Sequence, residues 1–376
     1  MADFIIKEIV SCNIEEELLK IGFDEDYCHI ASDKFQYKNI KIYNLTSAQA
    51  NIIKQTALSI GADCATHRDV ITGKIEKSDV ILTASYAQLK KIAEKLKQQP
   101  FKLCNLSNEI IRFINSHTSK KTKLAGILNI TPDSFSDGGK YFEPRNAQNH
   151  LIQMIEDGAD LIDIGAESTR PYSKAIEPEE QIERLKPVLN FIKKENINIP
   201  ISVDTRSSEV ADFALNNGVS IINDVSGFDF DINMPKIIAK YNAGIIIQHS
   251  KGTPQNMQDS PSYNNVVEDI YLNLRQKVEF AKSIDIKNII IDPGIGFGKT
   301  KKDNFEILNR IEEFYSLEHP IMVGISRKSL LGVKENNNDI KDALSLAISY
   351  PLLNKIDYLR VHNVKLHKNL IKMAEL

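Results

Sequence analysis

Four cysteines (Cys12, Cys28, Cys64 and Cys104) are all that 376 residues carry. They fall in the first third of the chain, with no CxxC pair and no histidine-rich metal spacing. That scarcity argues against a disulfide framework and against zinc, and for reduced thiols in a cytoplasmic protein. No apolar run approaches the roughly 18 residues of a membrane span. The opening MADFIIKEIVSC also lacks the basic start and long apolar stretch of a signal peptide. Charge of one sign is missing as well: the formal net charge is −3, and basic and acidic residues are interspersed, so no field exists to grip nucleic acid or anionic lipid. What is present, 42% hydrophobic and 26% charged residues, is the composition of an ordinary globular chain that binds small molecules rather than polymers.

A chain of this length usually divides, because single cores stop growing beyond about 250 to 300 residues. The polar, basic stretch INSHTSKKTK between Phe113 and Leu124 has no apolar periodicity and marks the boundary, giving units 1–118 and 123–376. Upstream, β-branched runs at 39–43 (NIKIY) and 79–84 (DVILTA) alternate with helical patterns at 46–60 and 86–97, the pattern of a small α/β or α+β domain. No catalytic constellation stands out there, since His29 and His67 are isolated. Downstream, eight apolar runs recur between amphipathic segments: LAGILNI, DLIDIG, PISVD, SIIND, AGIIIQH, NIIIDPG, PIMVGIS and DYLRVH. Near-continuous apolar strands suit a parallel sheet covered on both faces, and about 250 residues for eight β/α units is the usual size of a (β/α)8 TIM barrel. A doubly wound open sheet ranks lower, because its glycine-rich first turn is missing.

In such a barrel the chemistry gathers at the C-terminal ends of the strands. Those ends read Asn129 with the loop TPDSF, Glu167 with Ser168, Thr169 and Arg170, then Asp204, Asn223 with Asp224, His249, Asp292, Ser326 with Arg327 and Lys328, and Arg360 with His362. A strand leaving a barrel turns polar anyway, so any one of these is as readily structural as functional. Eight converging on one mouth argue for a site. Asp204, Asn223 and Asp292 suit a flat, amide-rich heterocycle, and Arg170, Lys328, Arg360 and His362 suit an attached anion. The run DPGIGFGK (292–299) lacks phosphate-loop spacing; its glycines read as letting backbone approach a flat ligand, with Phe297 offering a ring face.

Seven ordered motifs, GILNITPDSFSDGG, DIGAESTRP, SVDTR, INDVSG, DPGIGFGK, GISRKS and RVHNV, resemble the signature of the dihydropteroate synthases across the whole second unit. The resemblance implies condensation of 6-hydroxymethyl-7,8-dihydropterin diphosphate with p-aminobenzoate, a magnesium-dependent step of folate biosynthesis, in a family that sulfonamides target and that commonly forms homodimers. It implies that Asp204, Asn223, Asp292 and Lys328 hold the pterin, with Lys328, Asp204 and Asp292 catalytic. Thr169, Arg360 and His362 would bind the diphosphate, Thr169, Arg170, Pro171, Phe297 and Ser329 the aminobenzoate, and Asn129 the Mg2+. Two positions depart from the family pattern: Gln248 stands where methionine is usual, and Asn363 where aspartate would offer neighbouring cations a carboxylate. The polar stretch at 333–342 (VKENNNDIKD) reads by default as a solvated loop. Rival readings are a methyltransferase on a related pterin-binding barrel, disfavoured by GISRKS and the first loop, and a non-catalytic pterin-binding paralogue.

Overall fold

The computed structural model describes residues 7, 9, 14–116, 121–131, 144–167, 176–252, 261–328 and 337–375. The chain forms two compact units, Met1–Thr118 and Ser119–Leu376. In the first, β1 (Tyr37–Thr46), β2 (Asp63–Thr66) and β3 (Lys77–Ser85) make an antiparallel sheet in the order β1-β3-β2. β1 and β3 each end in a hydroxyl residue followed three positions later by glutamine. Thr46 with Gln49, and Ser85 with Gln88, form complete capping boxes that start the helices Ser47–Leu58 and Tyr86–Leu96. Those helices bury Ile53, Leu89, Ile92 and Leu96 in one cluster with Leu82 of β3.

The second unit is a (β/α)8 barrel. Its strands are β4 (Lys123–Asn129), β5 (Leu161–Gly165), β6 (Ile201–Asp204), β7 (Ile221–Asp224), β8 (Gly244–Gln248), β9 (Ile289–Asp292), β10 (Met322–Gly324) and β11 (Tyr358–Val361). They pair in parallel in the order β10-β11-β4-β5-β6-β7-β8-β9. A parallel bridge between Ile291 and Ile321, with Ile291 N donating to the Pro320 carbonyl at 2.9 Å, joins β9 to the start of β10 and closes the ring. Each strand is followed by a helix, from Pro144–Glu156 after β4 to Val364–Ala374 after β11.

The stretch 333–342 is a loop only in the sequence reading. From Asn338 onward it is helix, because the Asn337 side chain accepts from the backbone N–H groups of Asp339 and Ile340 and caps Asn338–Ser349. Residues 333–336 lie outside the described residues.

Strand alternation sets the barrel interior. Ala125, Leu161, Ile246, Ile290 and Met322, with Ile221 and Tyr358, form a small apolar cluster separate from the large one beneath the helices. They are the plug at the barrel's lower end. Two residues further along, the same inward faces carry Ile127, Asp163, Asn223, Gln248, Asp292, Gly324 and Arg360. The interior therefore turns from wholly apolar to mostly polar within one layer, about 7 Å along each strand.

Candidate active site

Asp163 is the centre of that polar layer. It is fully buried. Its Oδ1 accepts from Ser202 Oγ at 2.5 Å, and its Oδ2 accepts from Asn223 Nδ2 at 2.9 Å and from Arg360 Nε at 2.6 Å. Arg360 also donates through Nη2 to Asp204 Oδ2 at 2.9 Å, so one guanidinium serves two buried carboxylates. Burial raises the Asp204 pKa to about 7, with Arg360 opposing the rise and Asp163 adding to it. Among the described residues, Asp204 Oδ1, Asn223 Oδ1 and Gln248 Nε2 are buried without a hydrogen-bond partner. Unsatisfied groups cost free energy in a finished core. These three belong to residues near the C-terminal ends of β6, β7 and β8.

On the opposite arc, Lys328 threads between two glycines. A Cβ on Gly296 would sit 3.2 Å from its Cδ, and one on Gly324 3.6 Å from its Nζ. The ammonium donates to the Ile295 carbonyl at 2.6 Å and stands 4.6 Å from the Phe297 ring centroid. Burial lowers its pKa to about 8, with the Asp292 carboxylate opposing. Asp292 itself accepts from Gly294 N at 2.7 Å, and burial raises its pKa. His362 closes the ring: its Nδ1 lies 3.1 Å from Ser326 Oγ, which also accepts from the His362 backbone N–H at 3.2 Å.

Two glycines of the 292–299 run pack against backbone. Gly294 and Gly298 both have left-handed φ, and a Cβ on either would strike backbone, 1.8 Å from the His249 carbonyl oxygen and 2.3 Å from that of Lys251. They let this loop lie against the chain leaving β8. Lys299 fastens the two together. Its buried Nζ donates to the carbonyls of Gly294 (2.8 Å), Phe297 (2.9 Å) and His249 (3.2 Å) and lies 3.0 Å from His249 Nδ1. Burial first and Lys299 second depress the His249 pKa to about 2, so the ring beside Lys299 is neutral.

Other strand-end residues have structural tasks. Asp224 caps its own turn, accepting from the N–H groups of Ser226 and Phe228 and from Ser226 Oγ. Glu167 pairs with Arg206 at 3.2 Å, and the Arg206 guanidinium covers Phe230 at 4.2 Å. Arg327 forms a two-pronged pair with Asp342, 2.8 Å on each side, and Asn363 Nδ2 donates to the same carboxylate at 3.1 Å. The carboxylate expected at position 363 is thus supplied by Asp342, with Asn363 as its amide partner and as the cap of Val364–Ala374. Asn129 ends β4 beside Gly165, where an added Cβ would lie 3.3 Å from its Oδ1.

The structure brings Asp204, Asn223, Asp292, Lys328, Phe297, Arg360 and His362 to the strand ends of one barrel, together with Asn129. Thr169, Arg170, Pro171 and Ser329 lie outside the described residues, as do Ser168 and the loop at 132–143. Two residues were missed. Asp163 had a signal, a charge inside the apolar run DLIDIG. Lys299 had none, because its histidine partner is fifty residues away in sequence.

Comparison with known proteins places this geometry. The profile of the family described as pterin binding enzymes matches residues 125–362. A dihydropteroate synthase of Clostridium beijerinckii is 40% identical over 262 residues, spanning 68% of this chain and 94% of that protein. A Helicobacter pylori protein named bifunctional dihydropteroate synthase/dihydropteroate reductase is 33% identical over 378 residues, 98% of each. Among solved structures, Yersinia pestis dihydropteroate synthase with a sulfonamide drug complex superposes with a TM-score of 0.64 at 32% identity, covering 68% of this chain and 94% of that one.

Proposed function

Since this chain belongs to the pterin binding enzyme family, as a dihydropteroate synthase, we propose that the polar layer of its barrel carries the reaction in the roles that follow. The enzyme condenses 6-hydroxymethyl-7,8-dihydropterin diphosphate with p-aminobenzoate, releasing diphosphate and forming 7,8-dihydropteroate in folate biosynthesis. A carbon–oxygen bond to the leaving group breaks, a carbon–nitrogen bond to the aryl amine forms, and the amine loses a proton.

The observation that carries the assignment is the pair of buried acceptors Asp204 Oδ1 and Asn223 Oδ1, neither of which has a hydrogen-bond partner among the described residues. Asp163 takes the Asn223 amide nitrogen, so Asn223 presents its oxygen, and both residues accept from the N–H edge of a pterin. Asp292 adds a third oxygen acceptor, and Lys328 lies against the ring. As diphosphate departs, positive charge spreads from the methylene into the ring, and the buried carboxylates Asp204 and Asp292 stabilise it. Thr169, Arg360 and His362 bind the departing anion. Thr169, Arg170, Pro171, Phe297 and Ser329 form the aminobenzoate side, where the Phe297 face beside the Lys328 ammonium suits an aromatic carboxylate.

Mg2+ fits an amide oxygen at the mouth better than a closed cage, because it keeps waters and takes few protein ligands when phosphates are present. Asn129, whose Oδ1 lies close to Gly165 at the end of β5, would hold it. When bound, the ion neutralises charge on the leaving diphosphate. Ile340, Leu344, Leu366 and Met373 are exposed on the neighbouring helices Asn338–Ser349 and Val364–Ala374, a face suited to a homodimer and measurable by light scattering. No described helix is long and apolar enough to cross a membrane, and the free thiols Cys28, Cys64 and Cys104 support a cytoplasmic enzyme.

The test is dihydropteroate formation by Asp204→Ala and Lys328→Ala. Both should lose it while keeping the wild-type circular dichroism, and near-normal turnover in either sinks the assignment of roles. A second reading comes from the Helicobacter pylori relative, whose alignment runs through the first unit and whose name adds dihydropteroate reductase. That reading assigns this chain the reduction of 7,8-dihydropteroate as well. Conversion of 7,8-dihydropteroate to its tetrahydro form with a reduced nicotinamide or a reduced flavin as the two-electron donor would support it, and no conversion with either donor while the synthase is active would remove it.

A further inference from the structure

We infer that Gln248 is a specificity-determining residue of the pterin site, donating through Nε2 to an acceptor atom of the ring substrate. The inference rests on the placement of the pterin in the polar layer and extends it. Gln248 ends β8 two residues beyond Ile246, which belongs to the apolar plug inside the barrel. Alternation therefore turns Gln248 inward, at the level of Asp292, its cross-strand partner on β9. It is only 4% exposed, and its Nε2 is buried without a hydrogen-bond partner among the described residues.

A side-chain amide has two donors, and leaving them unmet in a buried site costs free energy unless something arrives to accept. The neighbouring orphans are both oxygens, Asp204 Oδ1 and Asn223 Oδ1, and Asp163 holds the Asn223 amide in that orientation. The mouth thus offers acceptors from β6 and β7 and a neutral donor from β8. A ring carrying N–H groups alone would satisfy the first two and strand the third. A 2-amino-4-oxopteridine carries both N–H groups and acceptors, and it satisfies all three. Lys328 also donates in this layer, but it carries charge and is already bonded to the Ile295 carbonyl. Gln248 supplies a donor whose strength does not change with pH.

The experiment compares wild type with Gln248→Met, which keeps an unbranched side chain of similar length and removes the donor. Binding of 6-hydroxymethylpterin is measured by calorimetry, along with binding of analogues in which single ring nitrogens are replaced by CH or the 4-oxo group is removed. Gln248→Met should weaken binding of the parent pterin roughly tenfold, the size expected when a ligand acceptor loses its buried partner. For the one analogue lacking that acceptor, the ratio between the two proteins should fall to about one. Equal affinity of both proteins for the parent pterin overturns the inference, as does a ratio that stays constant across every analogue, which would mean packing alone. Wild type supplies a second measurement that does not depend on the variant folding: it must itself discriminate against that analogue. If wild type binds no pterin, the site assignment falls with the inference. If it binds and Asp204→Ala does not, only the role of Gln248 is in question.

Discussion

Removing Asp163 tests the architecture more sharply than removing any residue expected to touch substrate. The wild-type carboxylate is fully buried and answers three donors, Ser202 Oγ, Asn223 Nδ2 and Arg360 Nε. Asp163→Ala leaves the amide and one side of the guanidinium unmet in a closed interior. Breaking one partner of a buried ion pair costs about 3 to 5 kcal/mol. Arg360 keeps Asp204, so the lower end of that range applies, and for a unit of this size ~3 kcal/mol lowers Tm by roughly 6 to 12 °C. Asp163→Asn should behave very differently. With its Nδ2 turned toward Ser202, whose hydroxyl can accept, its oxygen still receives both Asn223 and Arg360, so only the charge is lost, at about 1 to 2 kcal/mol. The chain has no tryptophan, so unfolding in urea is best followed by circular dichroism. Pterin affinity should fall at least about tenfold in Asp163→Ala, because the Asn223 amide is no longer held with its oxygen toward the ligand. The charge change carries a pH signature too. In wild type the Asp204 carboxyl titrates near pH 7, raised by burial and by Asp163 and held down by Arg360. Its ionised form accepts the ring N–H, so pterin binding weakens as pH falls through about 7. Asp163→Asn removes a raising charge from beside Asp204, which moves that acid limb to lower pH. Stability of Asp163→Ala within about 1 kcal/mol of wild type, together with unchanged pterin affinity, would refute the reasoning.

Lys328 is half-buried, and desolvation lowers its pKa to about 8; it is charged below that pH, so pterin-dependent turnover should decline as pH rises through about 8. Lys328→Arg, if it turns over at all, should lack that alkaline limb in a pH–rate series, and a limb that persists assigns it to another group. Gly294→Ala places a methyl 1.8 Å from the His249 carbonyl oxygen at a left-handed φ, which should cost at least about 3 kcal/mol by urea unfolding; a loss below about 1 kcal/mol would mean the loop can move away from β8. Asn363→Asp keeps the helix cap but sets a second carboxylate against Asp342 Oδ2, where the amide now donates at 3.1 Å. A drop of about 1 to 2 kcal/mol is expected by thermal melting, and a gain in stability would show that Arg327 has room for two carboxylates.

The difference between what the sequence disclosed and what it concealed follows from how far each determinant reaches along the chain. Eight strands were legible because a parallel strand covered on both faces must be apolar almost throughout, and β8 (GIIIQ), buried at every residue, is such a run. The polar strand ends were legible for the same reason, as the points where those runs stop. Asp163 escaped because attention to the ends passes over a charge within a strand, although the spacing Leu161, Asp163, Gly165 already put it on the inner face. The partner of a buried charge is harder still. Arg360 was matched from sequence with an anionic substrate, and Asp163 and Asp204 meet it only because β11, β4, β5 and β6 stand side by side with their registers aligned. Lys299 is the extreme case: the residue that fastens the glycine loop is the last of the motif, and what it grips comes from another strand. A glycine run therefore announces that backbone will pass close to something, while only the pairing of β8 with β9 decides that the something is backbone. The same logic makes Gln248 informative. Within the sequence it is one polar residue at a strand end; in the barrel, level with two buried oxygens on β6 and β7, it becomes the missing donor of a three-point polar surface.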